Sequence, residues 1–224
     1  TLTYAGIDVV EITGNHNNDK GWKYNLDTIR VYEDKDITYI GGGKDLTDAY
    51  TVKYTYMGEY KIAWFGFNEL GPSYAWATDA IPGAAKYSEE KLVELSAEAS
   101  NNADIAIMVF QWANENNSYP TELQKRTARL AIDNGVDLVV GSQGHGTQKM
   151  EFYNGVPIYY ALGNFIFDQM FSDKVREGII LRINTVNGKI VNLEMLPYLI
   201  EDYCQPNFVY GNRGEKIING ILNW

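Results

Sequence analysis

Cysteine and histidine are nearly missing from this chain, and so is any surplus of positive charge. The single Cys204 excludes an intrachain disulfide, and with only His16 and His145 beside it no zinc cage of cysteines and histidines can be assembled. No stretch reaches the roughly 18 apolar residues of a membrane-spanning helix. The opening residues TLTYAGIDVVEITGNHNND lack the pattern of a signal peptide, so a targeting segment is expected outside residues 1–224. Lys and Arg number 19 against 29 Asp and Glu, a formal net charge of -10, which gives the long-range field the wrong sign for nucleic acid. A polyanionic ligand would therefore need a metal ion or a local Lys/Arg cluster to invert that field. Near the expected site only Lys20, Lys149 and Arg176 offer such charge. Repeats, low-complexity segments and linkers are also absent.

What is present is an ordinary globular composition, 45% hydrophobic and 21% charged, in a length that one α/β domain fills. Residues 7–12 (IDVVEI) read as a buried strand running into a polar, Gly-containing turn, and residues 20–33 as a helix packed on a sheet. A short strand over 37–40 ends in Gly41-Gly42-Gly43. The alternation around 50–66 predicts two antiparallel strands with a turn at Met57-Gly58-Glu59. Ser88 is a candidate N-cap for a helix over 88–100, followed by a buried strand over 104–110. A second helix over 120–134 closes at Asn134-Gly135 and leads into a strand over 136–140. Beyond Met150 the pattern is strand-like and antiparallel, with Asn187-Gly188 as a two-residue hairpin turn. Helix alternating with buried strand, then hairpins, predicts a mixed-sheet α/β sandwich: an α/β part over 1–145 and mainly antiparallel hairpins over 146–224 of one domain.

Three of the expected strands end in polar clusters: Gly14-Asn15-His16, then Gln111-Trp112-Ala113-Asn114-Glu115, then Gly141-Ser142-Gln143-Gly144-His145. Loops at the carboxyl ends of strands converge on one edge of such a sheet, where ligand sites form. The run Gly41-Gly42-Gly43-Lys44 lacks the G-x-x-x-x-G-K-[ST] spacing of a phosphate loop. Tyr159, Tyr160, Phe165 and Phe167 read as core and sheet-face aromatics, and Trp112 as a packing residue with a possible second role at the site.

Four segments, G-N-H-N-N-D-K-G, Q-W-A-N-E, G-S-Q-G-H-G-T-Q and Y-A-L-G-N-F, stand in this order in the chain. They resemble the segments N-N-H-x-x-D-x-G, H-W-G-x-E, G-x-H-P-H-x-x-Q and Y-S-L-G-N-F of the CapA-type poly-γ-glutamate (capsule) synthesis proteins, relatives of the calcineurin-like metallophosphoesterases. The resemblance spans roughly residues 4 to 170. It implies a metallophosphoesterase-like αββα sandwich, of which residues 1–224 correspond to the C-terminal two-thirds, the G-D-x and N-L-E segments preceding the first strand. It implies a two-cation centre with metals about 3.5–4 Å apart, His16 near the leaving group, and Asn15 and His145 among the metal ligands. Gln111 and Gln143 stand where the family has histidines, and Glu115 would orient a neighbouring ligand. Asn164 is expected to pin loop backbones.

An amide oxygen is a poorer ligand than imidazole for Zn²⁺ or Mn²⁺, although it serves Ca²⁺ or Mg²⁺, so the paired replacement implies that one cation is lost or changed. The resemblance further implies a partner that is an anionic cell-envelope polymer or its synthesis machinery, and a full-length protein anchored to the membrane at the extracellular face. Three functions stay open: a capsule-synthesis protein with a degenerate metal site, a non-catalytic polymer- or protein-binding scaffold, and a metal-dependent phosphoesterase completed by the preceding segment.

Overall fold

The two valines of β1 (Val9–Glu11) are joined by α1 (Trp22–Asp34) to β2 (Thr38–Ile40), and the two strands pair in parallel. A parallel pair needs a crossover of this kind. Ile29 of the helix is wholly buried and packs with Ile12 and Tyr39. The computed structural model describes residues 1–113 and 115–223. Within it the chain forms two compact units, Thr1–Gln111 with Asp133–Val136, and Trp112–Ile132 with Asp137–Trp224.

The first unit continues with β3 (Gly42–Gly43), α2 (Leu46–Ala49), β4 (Lys53–Met57) and β5 (Tyr60–Asn68), then β6 (Gly83–Ala84), α3 (Glu89–Asn102) and β7 (Ile105–Gln111). β4 and β5 form the expected hairpin, closed by Gly58 at φ 63 between paired Met57 and Tyr60. β7 lies parallel to β5, in a register that sets Asn68 opposite Gln111. Ser88 caps α3 by accepting the Lys91 N–H at 3.2 Å, and the helix buries Leu92, Leu95 and Ala99. Phe65, Phe67, Tyr87 and Phe110 pack edge-on or tilted at ring separations of 5.2–6.1 Å, a geometry worth about 1 kcal/mol per pair beyond area burial. The Gly41–Lys44 run serves packing: a Cβ on Gly43 would lie 2.4 Å from the Ala49 nitrogen, and Lys44 is ion-paired to Glu33 at 2.8 Å.

The second unit holds α4 (Glu122–Asp133), β8 (Leu138–Ser142), β9 (Glu151–Tyr153), β10 (Val156–Tyr159), α5 (Asp173–Arg176), β11 (Glu177–Val186), β12 (Lys189–Glu201), β13 (Gln205–Phe208) and α6 (Gly211–Leu222). Thr121 and Gln124 form a reciprocal cap for α4, at 2.7 and 3.2 Å. Arg129 of α4 grips Glu151 of β9 through two bonds of 2.9 and 3.1 Å. β11, β12 and β13 are antiparallel, and Asn187-Gly188, both at positive φ, make the expected turn. Both units combine parallel and antiparallel pairs with helices, so the chain is mixed α/β.

β10 pairs in parallel with β8, while the strand pairs within 146–224 are antiparallel. Two expectations are corrected. Residues 211–222, read as part of a strand-rich stretch, form α6, whose Ile217 and Ile221 are buried four apart. Phe165 and Phe167 are not core: they lie outside any strand and are 45% and 41% exposed, because Gly163 at φ 89 turns the chain out of extended conformation after Leu162. Tyr159 and Tyr160 are buried as expected.

Candidate functional site

In the first unit the site grows from three strand ends. Beyond β1, residues Ile12 and Thr13 run over Gly41 and Gly66; a Cβ on Gly41 would fall 2.2 Å from the Thr13 methyl, and one on Gly66 would fall 3.1 Å from it. That close approach brings the loop against the ends of β5 and β7. Asn68, with no exposed surface, donates through its Nδ2 to the Thr13 carbonyl at 2.6 Å and to Gln111 Oε1 at 2.5 Å. Its Oδ1 accepts from the Gly71 N–H and the Trp76 indole N–H, both at 2.8 Å. Gln111 in turn donates through Nε2 to Asn15 Oδ1 at 3.0 Å. Two of the expected site residues, Asn15 and Gln111, are therefore in contact. Asn68 belongs with them; its signal in the sequence was an Asn ending a strand of aromatic and apolar residues.

His16 turns instead to Asp19, its Nδ1 2.7 Å from Oδ2, and its side chain is 78% exposed. Asp19 also accepts from the Tyr74 hydroxyl at 3.2 Å. A carboxylate at Nδ1 selects the neutral tautomer with its proton on Nδ1 and its lone pair on Nε2.

In the second unit Gln143 donates to Glu115 at 2.6 Å, joining two more expected residues. His145 Nδ1 lies 3.0 Å from Asn164 Oδ1. The Asn164 amide is oriented by its Nδ2, which donates to the Val175 carbonyl at 3.1 Å and to Gln169 at 3.2 Å. Its Oδ1 can then only accept, so the neutral imidazole carries its proton on Nδ1 and its lone pair on Nε2. Asn164 also donates its backbone N–H to the His145 carbonyl at 3.2 Å. Gln143 and His145 are left-handed, at φ 77 and 54, a conformation that costs non-glycine residues about 1 kcal/mol or more each and gathers at functional loops. Trp112 is 1% exposed and donates to the Tyr160 carbonyl at 3.0 Å, so it is a packing residue. Asn114 of the Q-W-A-N-E segment lies outside the described residues. Lys149 is bound to the Asn223 carbonyl, and Arg176 to the Ile200 carbonyl at 3.0 Å and to Asp173 at 3.2 Å.

Among the described residues no group of three or more His, Cys, Asp or Glu is placed to hold a metal ion. At Asn15 and Gln111 the donors are amides, and the Gln111 oxygen is already taken by Asn68. Gln111 thus points a positive N–H end where the resemblance places an imidazole lone pair. This donor set does not fit Zn²⁺ or Mn²⁺.

A family model described as bacterial capsule synthesis protein PGA_cap matches residues 1–169. The chain belongs to this family. Among PGA_cap relatives, the capsule biosynthesis protein CapA of Bacillus anthracis is 27% identical over 202 residues, covering 88% of this chain and 49% of the relative. The PGA biosynthesis protein CapA of Bacillus subtilis (strain 168) is 28% identical over 202 residues, covering 90% and 53%. The chain thus spans about half the length of these curated relatives. The fold is metallophosphoesterase-like: the sulfate thiohydrolase SoxB of Thermus thermophilus superposes with a TM-score of 0.57 at 13% identity, over 97% of this chain and 37% of that one. No helix among the described residues is long and apolar enough to cross a membrane.

Proposed function

We propose that this PGA_cap chain acts in the synthesis, attachment or trimming of an anionic cell-envelope polymer of the poly-γ-glutamate kind, at the extracellular face of a membrane-anchored full-length protein. The proposal includes the loss of one cation of the ancestral phosphoesterase centre, the one that Asn15 and Gln111 would have served. Family membership and the capsule and PGA biosynthesis relatives support the first part. The observation that carries the second is the engagement of Gln111, its oxygen held by Asn68 and its N–H by Asn15.

Calorimetric titration of the purified chain with Mn²⁺ or Zn²⁺ tests the lost cation. No binding at micromolar concentration is expected, and tight stoichiometric uptake would sink the reading. In a protein carrying the upstream segment, Gln111→His with Gln143→His should restore affinity.

One observation favours catalysis as a second reading: Asn164 fixes the His145 tautomer so that Nε2 keeps its lone pair, as in imidazoles that hold metals or protons. On that reading the full-length protein hydrolyses a phosphoester, and His145→Ala abolishes turnover. Equal turnover by the variant would remove His145 from the reaction, and no turnover by the unsubstituted full-length protein would leave the polymer-binding scaffold as the better account.

A further inference from the structure

The amide groups that join the three strand ends of the first unit have a direction, and the direction decides what the site can bind. The Gly71 N–H and the Trp76 indole N–H both point at Asn68 Oδ1, at 2.8 Å each. Neither donor can be reversed, so Asn68 is compelled to send its Nδ2 toward Thr13 and Gln111. Gln111 must accept there with Oε1 and so presents Nε2 to Asn15, 3.0 Å from Oδ1. Each link passes the same polarity on.

Asn15, half-buried at the end of this relay, has its oxygen engaged and its Nδ2 amino group without a hydrogen-bond partner among the described residues. We infer that the Asn15 side chain is an oxyanion donor: its outward N–H groups bind an oxygen of a carboxylate or phosphate, at the place where the resemblance implies a cation. This rests on the proposed loss of that cation and names what replaces it. The ligand chemistry is an anionic oxygen; a glutamyl side chain and a phosphoryl group are its two sources. The relay residues Thr13, Asn15, Asn68, Trp76 and Gln111 are all neutral, and the Glu11 carboxylate beside them is engaged by the Thr13 N–H at 3.1 Å. The chain's acidic surface therefore need not exclude it, although the neutral donors bind more weakly than a cation would.

The test follows the Asn15 side-chain amide in ¹⁵N-resolved NMR spectra at low salt with EDTA, the resonance being assigned by its absence in Asn15→Ala. A γ-linked glutamate tetrapeptide and inorganic phosphate are titrated separately. A saturable downfield shift with the tetrapeptide alone identifies a carboxylate site, with phosphate alone a phosphoryl site, and with both a general oxyanion site. No shift with either overturns the inference. Asn15→Ala should weaken binding, read from backbone resonances, by about tenfold or more. Gln111→Glu supplies the second arm. Its side chain can accept from Asn68 but cannot donate to Asn15, so the Asn15 amide turns over and shows its oxygen beside a new negative charge. That variant should lose the anion shift and gain Mn²⁺ binding; retention of the anion shift would refute the relay. Mn²⁺ binding by the unsubstituted chain would fail the proposed function instead, so the two failures are distinguishable.

Discussion

Asn68 uses both amide protons and both lone pairs inside the protein, with no surface exposed to water. Replacing it strands several buried partners at once, each costing about 1–3 kcal/mol when left unpaired. Asn68→Ala is therefore expected to lower the unfolding free energy by at least about 3 kcal/mol in urea denaturation; a loss below about 1 kcal/mol would mean that water or a neighbour replaces the amide. Asp48 illustrates a charged counterpart. Burial raises its carboxyl pKa, but bonds from the Lys53 ammonium, the Lys44 N–H and the Tyr39 hydroxyl outweigh burial and hold it below the ordinary aspartate value. A depressed native pKa means that the stabilisation is complete above the unfolded-state value of about 3.9 and disappears as the pH falls through the lower, native one. Asp48→Asn should cost about 1–3 kcal/mol at neutral pH. The two stability curves should converge in acid, and a constant gap down to the lowest pH would contradict the linkage.

At the scale of elements, glycine marks where strands and loops meet. A Cβ on Gly141 of β8 would stand 2.0 Å from the Trp112 indole nitrogen and 2.1 Å from the Tyr160 carbonyl, breaking the bond that joins them. Gly58 has the same absence of side chain but open space around it, and only its φ of 63 resists substitution. Gly141→Ala should accordingly cost at least about 3 kcal/mol, and Gly58→Ala about 1 kcal/mol, in the same denaturation assay. Similar losses would show that β8 has room that the packing does not display. The turns at Gly58 and Asn187-Gly188 and the cap at Ser88 were legible because each depends on two to four consecutive residues. α6 was not: Gly211, Gly214 and Gly220 lower its intrinsic helicity, and its helix is sustained by burying Ile217 and Ile221 beside β12.

For the whole molecule, the proposed loss of a cation has a thermodynamic signature separate from activity. A ligand that binds the folded state at 100 times its Kd adds about 2.7 kcal/mol of stability, which in a chain of this size raises Tm by about 5–10 °C. Neither 1 mM EDTA nor 0.1 mM Mn²⁺ is expected to move Tm by more than about 1 °C. A rise of several degrees with Mn²⁺ would show a bound ion and count against the Gln111 interpretation.

By itself the sequence determined the family, through four ordered segments, and the strands and helices with local signals. It also placed Asn15 and Gln111 at strand ends, because periodicity reports where a strand stops. Only the tertiary structure brought Asn68 between them, through the parallel register that sets it opposite Gln111, and only the fixed indole and backbone donors gave the amide chain its direction. Hydrogen-bond polarity is a property of residues 96 positions apart, as for Asn15 and Gln111, and no local pattern in a chain encodes which end of an amide a distant partner will take.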